Sequence, residues 1–229
     1  MKDFFLKKEY RWIFLFSLII FSSLVYTYRI TVPTMLPISG KTIVIDPGHG
    51  GWDPGKTGNI GENEKIINLQ ISQILQKYLE TSGANVVITR NEDEALGDSK
   101  NKDMKERKNI ADSSYGDILV SIHQNSFPKE SAKGAQVFYY GTSEESKKLA
   151  EFVQSRLISE ADNENKRTAK ANTDYYMLKA MKLPCIIVEC GFLSNSNEEK
   201  LLNDKKYQEK IAWAIYMGII DYFYDKEKI

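Results

Sequence analysis

Two histidines occur in the whole chain, His49 just after one apolar run and His123 at the end of another. His49 follows TIVID, in the Gly-rich turn IDPGHGG, and His123 ends ILVSIH. A lone histidine is more often structural than a ligand. Two of them at the ends of predicted strands stand where an open α/β sheet gathers its reactive groups. Carboxylates complete the set. Glu64 falls in the first turn of the helix fed by the Gly-rich loop, so it can face back toward His49, although a glutamate there also complements the helix dipole. Glu189 ends CIIVE, where a buried carboxylate is costly unless it is paired or bound to a cation. Two imidazoles and one carboxylate make a catalytic-type zinc set with one position open to water. The second carboxylate is then left to move protons.

A competing motif overlaps this region. Gly50–Thr57 reads GGWDPGKT, matching the phosphate-cradling spacing G-x-x-x-x-G-K-[ST] after a strand. Two features argue against it. Such a cradle needs successive backbone N–H groups and Pro54 has none, while Gly58, Asn59, Ile60 and Gly61 separate the Lys-Thr pair from helical sequence.

The elements that must position these residues alternate along the chain. Strands are predicted over 42–46, 85–89, 118–123, 135–140 and 185–189, and helices over 62–82, 103–114, 143–161 and 207–224. In the first helix Ile67, Ile71, Ile74, Leu75 and Tyr78 share one face and Gly83 ends it; in the last, Ile211, Ile215, Ile219 and Tyr222 form one stripe. Such alternation predicts an α/β fold: a mostly parallel twisted sheet of about six strands, covered by helices on both faces. No internal repeat or second globular domain is evident.

The N-terminus has a different composition. Trp12–Tyr28 holds no charge over seventeen residues, Lys2, Lys7, Lys8 and Arg11 precede it, and only Arg29 follows closely. This predicts a cytoplasmic segment over 1–11, a transmembrane helix over 12–28, a linker over 29–40 containing Pro33, Pro37 and Gly40, and an exported catalytic domain over 41–229. A cleaved signal peptide has similar features, but no small-x-small site occurs among Ser22–Tyr28. Lys and Arg number 31 against 31 Asp and Glu, with no basic face of the kind that binds nucleic acid. Cys185 and Cys190 are five apart in a strand, so they point to opposite faces and are poorly placed to bond each other.

Taken together, the motifs resemble the zinc-dependent N-acetylmuramoyl-L-alanine amidases of the amidase-3 type, from Lys41 to about Tyr224. IDPGHGG with Asp53 and Gly55, Glu64, ITR at 88–90, Arg107, SIHQN at 121–125 and VECGFLSN at 188–195 carry the resemblance. It implies one zinc ion held by His49, Glu64 and His123, with Glu189 as general base and then acid in hydrolysis of the amide between N-acetylmuramic acid and L-alanine of peptidoglycan. Gln124 and Ser126 depart from the pattern, where small apolar residues are usual around Asn125. Asn125 itself is either a substrate contact or a turn stabiliser. GAQVFYY at 134–140, DYYMLK at 174–179 and YQEKIAWAIYMG at 207–218 resemble the germination-specific branch found in spore formers, which implies a role in spore cortex modification. The partners implied are peptidoglycan and, through the N-terminal segment, the membrane, with a protein partner left open. A zinc peptidase cutting within the stem peptide, or a non-catalytic wall-binding module, would share the fold. Retention of all four polar residues favours an enzyme.

Overall fold

The computed structural model describes residues 8–30 and 35–228. Lys2 and Lys7, among the flanking charges, and Pro33 of the linker lie outside them. Two units result, one ending at Met35 and the other running from Leu36. In the first, Lys8–Ile30 forms helix α1, and every described side chain from Trp12 to Leu24 is exposed. The expected membrane span is not supported by this helix. Among the described residues no helix is long and apolar enough to cross a membrane, and the apolar run is short and interrupted by Ser17, Ser22 and Ser23.

The second unit contains strands β1 (Thr42–Pro47), β2 (Asn85–Ile88), β3 (Ile118–Asn125), β4 (Gln136–Tyr139), β5 (Lys170–Ala171) and β6 (Cys185–Phe192). Its helices are α2 (Glu64–Thr81), α3 (Lys100–Ser113), α4 (Glu144–Arg156), α5 (Tyr176–Ala180), α6 (Ser196–Leu202) and α7 (Lys205–Lys226). The six strands form one sheet in the order β2-β1-β3-β6-β4-β5. β2, β1, β3 and β6 run parallel; β4 is antiparallel to β6 and parallel to β5. The sheet is thus mostly parallel, as its near-continuous Val/Ile/Leu strands require.

Alternation along each strand divides the core. Ile43 and Ile45, Ile118, Val120 and Ile122, and Ile186, Val188 and Cys190 join the apolar faces of α2, α4 and α7 in the larger cluster. Val44, Leu119, Cys185 and Ile187 face the other way, with Ala111 of α3 and Met177 and Leu178 of α5. The two cysteines therefore lie on opposite faces of β6, both buried and both free. The same period of two decides where the polar residues go: Asp46, Ser121, His123 and Glu189 share the face of Val44, Leu119 and Ile187. Across β3 and β6, His123 stands directly beside Glu189 in the register.

Element boundaries differ from expectation where side chains intervene. α2 starts at Glu64 rather than 62, because the loop supplies its first acceptors: the Glu64 and Lys65 N–H groups donate to the carbonyls of Lys56 and Pro54. The long helix expected over 143–161 ends its α-helical part at Arg156 and widens into a π turn over Leu157–Ala161. α5, α6 and β5 were not foreseen, each being too short to show a period.

Candidate active site

Three elements deliver the candidate ligands to one point. His49 lies two residues past β1, with φ +61° in the left-handed region that costs a non-glycine residue about 1–2 kcal/mol. Its Nδ1 is 2.8 Å from Asp53 Oδ2. With the Nδ1 proton donated to that carboxylate, the Nε2 lone pair faces Glu64 Oε1 at 3.2 Å. On β3, His123 places Nδ1 3.0 Å from the same oxygen. The two rings meet edge to face with centroids 5.0 Å apart.

Glu64 itself is buried, 4% exposed. Its Oε2 accepts a 2.7 Å bond from the Lys56 N–H and its Oε1 a 3.1 Å bond from the Gln124 N–H. Burial raises the carboxyl pKa, but the two imidazoles more than reverse this and hold it well below the usual range. His49 is the counterpart: burial pulls its pKa down, yet Glu64 and then Asp53 raise it overall. A point that stabilises positive charge this strongly suits a cation.

Backbone geometry makes room for the cluster. A Cβ on Gly48 would lie 2.1 Å from His123 Cε1, and one on Gly55 2.6 Å from Glu64 Oε2. Glycine is required at both positions by close approach. The Lys56 N–H that a phosphate loop would offer to a ligand is already spent on Glu64, and the helix starts seven residues beyond Thr57. The phosphate-loop match is therefore only apparent.

Two buried arginines fix the turn from behind. Arg90 donates to the carbonyls of Pro47 and Gly48 at 2.9 and 3.0 Å, and Arg107 to those of Pro47 and His49. Burial, then the neighbouring Arg107, lowers the Arg90 pKa to about 10, so it remains charged at neutral pH. Arg107 also pairs with Asp46 at 2.8 Å and Asp103 at 2.6 Å. Asp46 accepts further 2.7 Å bonds from the hydroxyls of Thr89 and Ser121. Burial opposes ionisation of Asp46, but Arg107 and these hydroxyls bring its pKa to about 2. Gln124, one of the departures from the family pattern, turns toward α2: its Nε2 donates to Asn68, which in turn donates to the Gly48 carbonyl. The Gln124 Oε1 is buried without a hydrogen-bond partner among the described residues.

Glu189 opens onto the same cleft, of about 570 Å³, together with His49, Glu64 and His123. It is 7% exposed, and its Oε2 has no hydrogen-bond partner. Burial drives its pKa to about 7, with His123 offsetting and Glu64 adding to the shift. Asn125 lines the cleft, while its Oδ1 accepts a 2.8 Å bond from the following N–H, of Ser126.

Could a metal sit here? One ligand atom each from His49, Glu64 and His123 lie within 4.8 Å of one another. Two imidazole nitrogens and one carboxylate oxygen, backed by Asp53, match a catalytic zinc donor set. The residues fit.

A profile of the family described as N-acetylmuramoyl-L-alanine amidase, of the amidase-3 type, matches residues 43–221. The chain belongs to the N-acetylmuramoyl-L-alanine amidase family. A germination-specific N-acetylmuramoyl-L-alanine amidase of Bacillus subtilis strain 168 is 37% identical to this amidase over 96% of its length and 98% of the relative's. Among solved structures, the CwlD amidase from Clostridioides difficile in complex with the GerS lipoprotein is 42% identical with a TM-score of 0.79, covering 81% of this chain and all of that one. An N-acetylmuramoyl-L-alanine amidase from Clostridium difficile 630 is 32% identical with a TM-score of 0.73, covering 82% and 99%. The amidase is a peptidoglycan hydrolase of this type.

Of the residues singled out in sequence, the fold brings His49, Glu64, His123 and Glu189 to one cleft, with Asn125 on its wall. Asp53 and Arg107 were noted only as matching positions; their work in orienting His49 and pinning its turn comes from three dimensions. Asp46 was missed. Its signal was a carboxylate closing an apolar strand, the same feature that singled out Glu189.

Proposed function

We propose that this chain is a zinc-dependent amidase that frees stem peptides from the glycan of spore cortex peptidoglycan, with Glu189 as its proton carrier. One observation carries the reading: an unpartnered, buried carboxylate faces the same cleft as a His-Glu-His cluster. His49 Nε2, His123 Nδ1 and Glu64 would hold the ion. When bound, zinc supplies Lewis acidity toward a carbonyl oxygen or water.

The chain's own residues do the rest. Asp53 keeps the proton of His49 on Nδ1, so that Nε2 is offered as a ligand. Glu189, with a pKa near neutrality, accepts a proton from the attacking water and returns it to the amide nitrogen as the C–N bond breaks. A lactyl carboxylate and the free amine of L-alanine result. Asn125, already bonded to its own loop, is proposed as a cleft-wall contact for the substrate.

The cortex role rests on likeness to the germination-specific relative. Because the CwlD relative was solved with a lipoprotein, a lipoprotein partner is proposed here too. Peptidoglycan lies outside the cytoplasmic membrane, so the domain from residue 41 is proposed to be exported.

Two variants test the assignment. Glu64→Ala removes an anionic ligand and is expected to lose zinc and activity together. Glu189→Gln is expected to keep zinc while turnover falls roughly 10²–10⁴-fold. A fully active, zinc-loaded Glu189→Gln would remove Glu189 from the mechanism.

A further inference from the structure

Tyr175 lines the same cleft as His49, Glu64, His123 and Glu189. Its backbone is fixed just before α5, where Asn172 Oδ1 accepts bonds of 2.8 and 2.9 Å from the N–H groups of Asp174 and Tyr175. Its ring is fixed by Phe138 of β4, edge to face, with centroids 5.6 Å apart and planes at 76°. No protein group bonds its hydroxyl among the described residues, and that oxygen is not sealed from solvent. A tyrosine held at backbone and ring, lining the cleft with a hydroxyl that no described protein group engages, is able to donate a hydrogen bond to a bound substrate.

We propose that Tyr175 is a catalytic residue whose hydroxyl donates a hydrogen bond to the carbonyl oxygen of the scissile amide as that oxygen gains negative charge. The inference rests on the amidase reading with Glu189 as base. Water adds its oxygen to the carbonyl carbon, its proton passes through Glu189 to the departing nitrogen, and Tyr175 keeps its own proton throughout. Burial, then the nearby Glu189 and Glu64 carboxylates, raises the phenol pKa to about 12. At neutral pH it can therefore donate but cannot act as a base. A donor aimed at developing charge affects kcat more than KM, since the ground-state carbonyl takes little from it.

Tyr175→Phe keeps the contact with Phe138 and removes only the hydroxyl. On zinc-loaded protein with muropeptide substrate, kcat is expected to fall about 10²–10³-fold, with KM within a few-fold and zinc content and Tm unchanged. Tyr175→Ala, which also loses ring packing, should be no more active. Glu189→Gln is measured beside them. If Tyr175→Phe retains full kcat while Glu189→Gln is inactive, the hydroxyl has no such role and the inference falls while the mechanism stands. If Glu189→Gln is fully active, the mechanism itself fails. A rise in KM at constant kcat would also overturn the proposal, by making Tyr175 a ground-state contact only.

Discussion

At the scale of single residues, the site depends on second contacts as much as on the ligands. His49 holds a left-handed backbone and a fixed ring because Asp53, four residues on, bonds Nδ1 at 2.8 Å while the Arg107 guanidinium binds its carbonyl. Asp53→Ala should leave the fold intact and weaken zinc binding about 10–100-fold, read by competition with a chromogenic chelator; unchanged affinity would mean that Asp53 does not orient the ligand. Gly48 makes a sharper test, because a methyl group there would occupy the place of the His123 ring. Gly48→Ala is expected to reduce zinc stoichiometry well before it unfolds the domain, as measured by metal analysis beside a thermal melt. The candidate ligands were readable from sequence because His123 ends an apolar strand, His49 follows another in a Gly-rich turn, and Glu64 opens the helix that this turn feeds. The reason Gly48 must be glycine was not, since His123 arrives from 75 positions away.

At the scale of elements, β1 carries a buried charge that neighbouring elements must match. Its Asp46 is matched by Arg107 from α3 and by hydroxyls from β2's end and β3, so one buried carboxylate ties three neighbours to the turn that holds His49. α3 shows why such features escape a sequence reading. Its buried stripe is Asp103, Arg107 and Ala111, which has helical spacing but no hydrophobic contrast. Strands β1, β3 and β6 and helices α2 and α7 were legible because their apolar periods are long. Five-residue α5 and two-residue β5 were not, and α5 happens to position Tyr175.

Linkage gives Asp46 a pH signature. Its folded pKa is about 2 against an ordinary 3.8, so its charge stabilises the fold fully above pH ~4 and the contribution fades as pH falls toward ~2. The shift is worth roughly 2–3 kcal/mol. Replacing Asp46 also leaves Arg107 short of one partner, which adds to the loss. In zinc-free protein, Asp46→Asn is therefore expected to be less stable than wild type by about 3–5 kcal/mol near neutral pH, with a gap that narrows below pH ~4. Urea melts at several pH values would measure it; a gap independent of pH would show that the Asp46 charge is not what stabilises the turn.

At the scale of the whole molecule, chemistry and location must agree, because peptidoglycan is met only outside the cytoplasmic membrane. The charge-free run within α1, preceded by four basic residues, predicts that a C-terminal alkaline-phosphatase fusion is active and a C-terminal green fluorescent protein fusion dark. The reverse result would place the domain away from its substrate. The most direct test of the central claim is mass spectrometry of purified cortex peptidoglycan digested with the zinc-loaded domain, run beside Glu189→Gln. Intact stem peptides beginning with the free amine of L-alanine and glycan strands bearing free lactyl carboxylates are expected, with almost none of either from Glu189→Gln. Fragments cut within the stem, or equal release by Glu189→Gln, would contradict that claim.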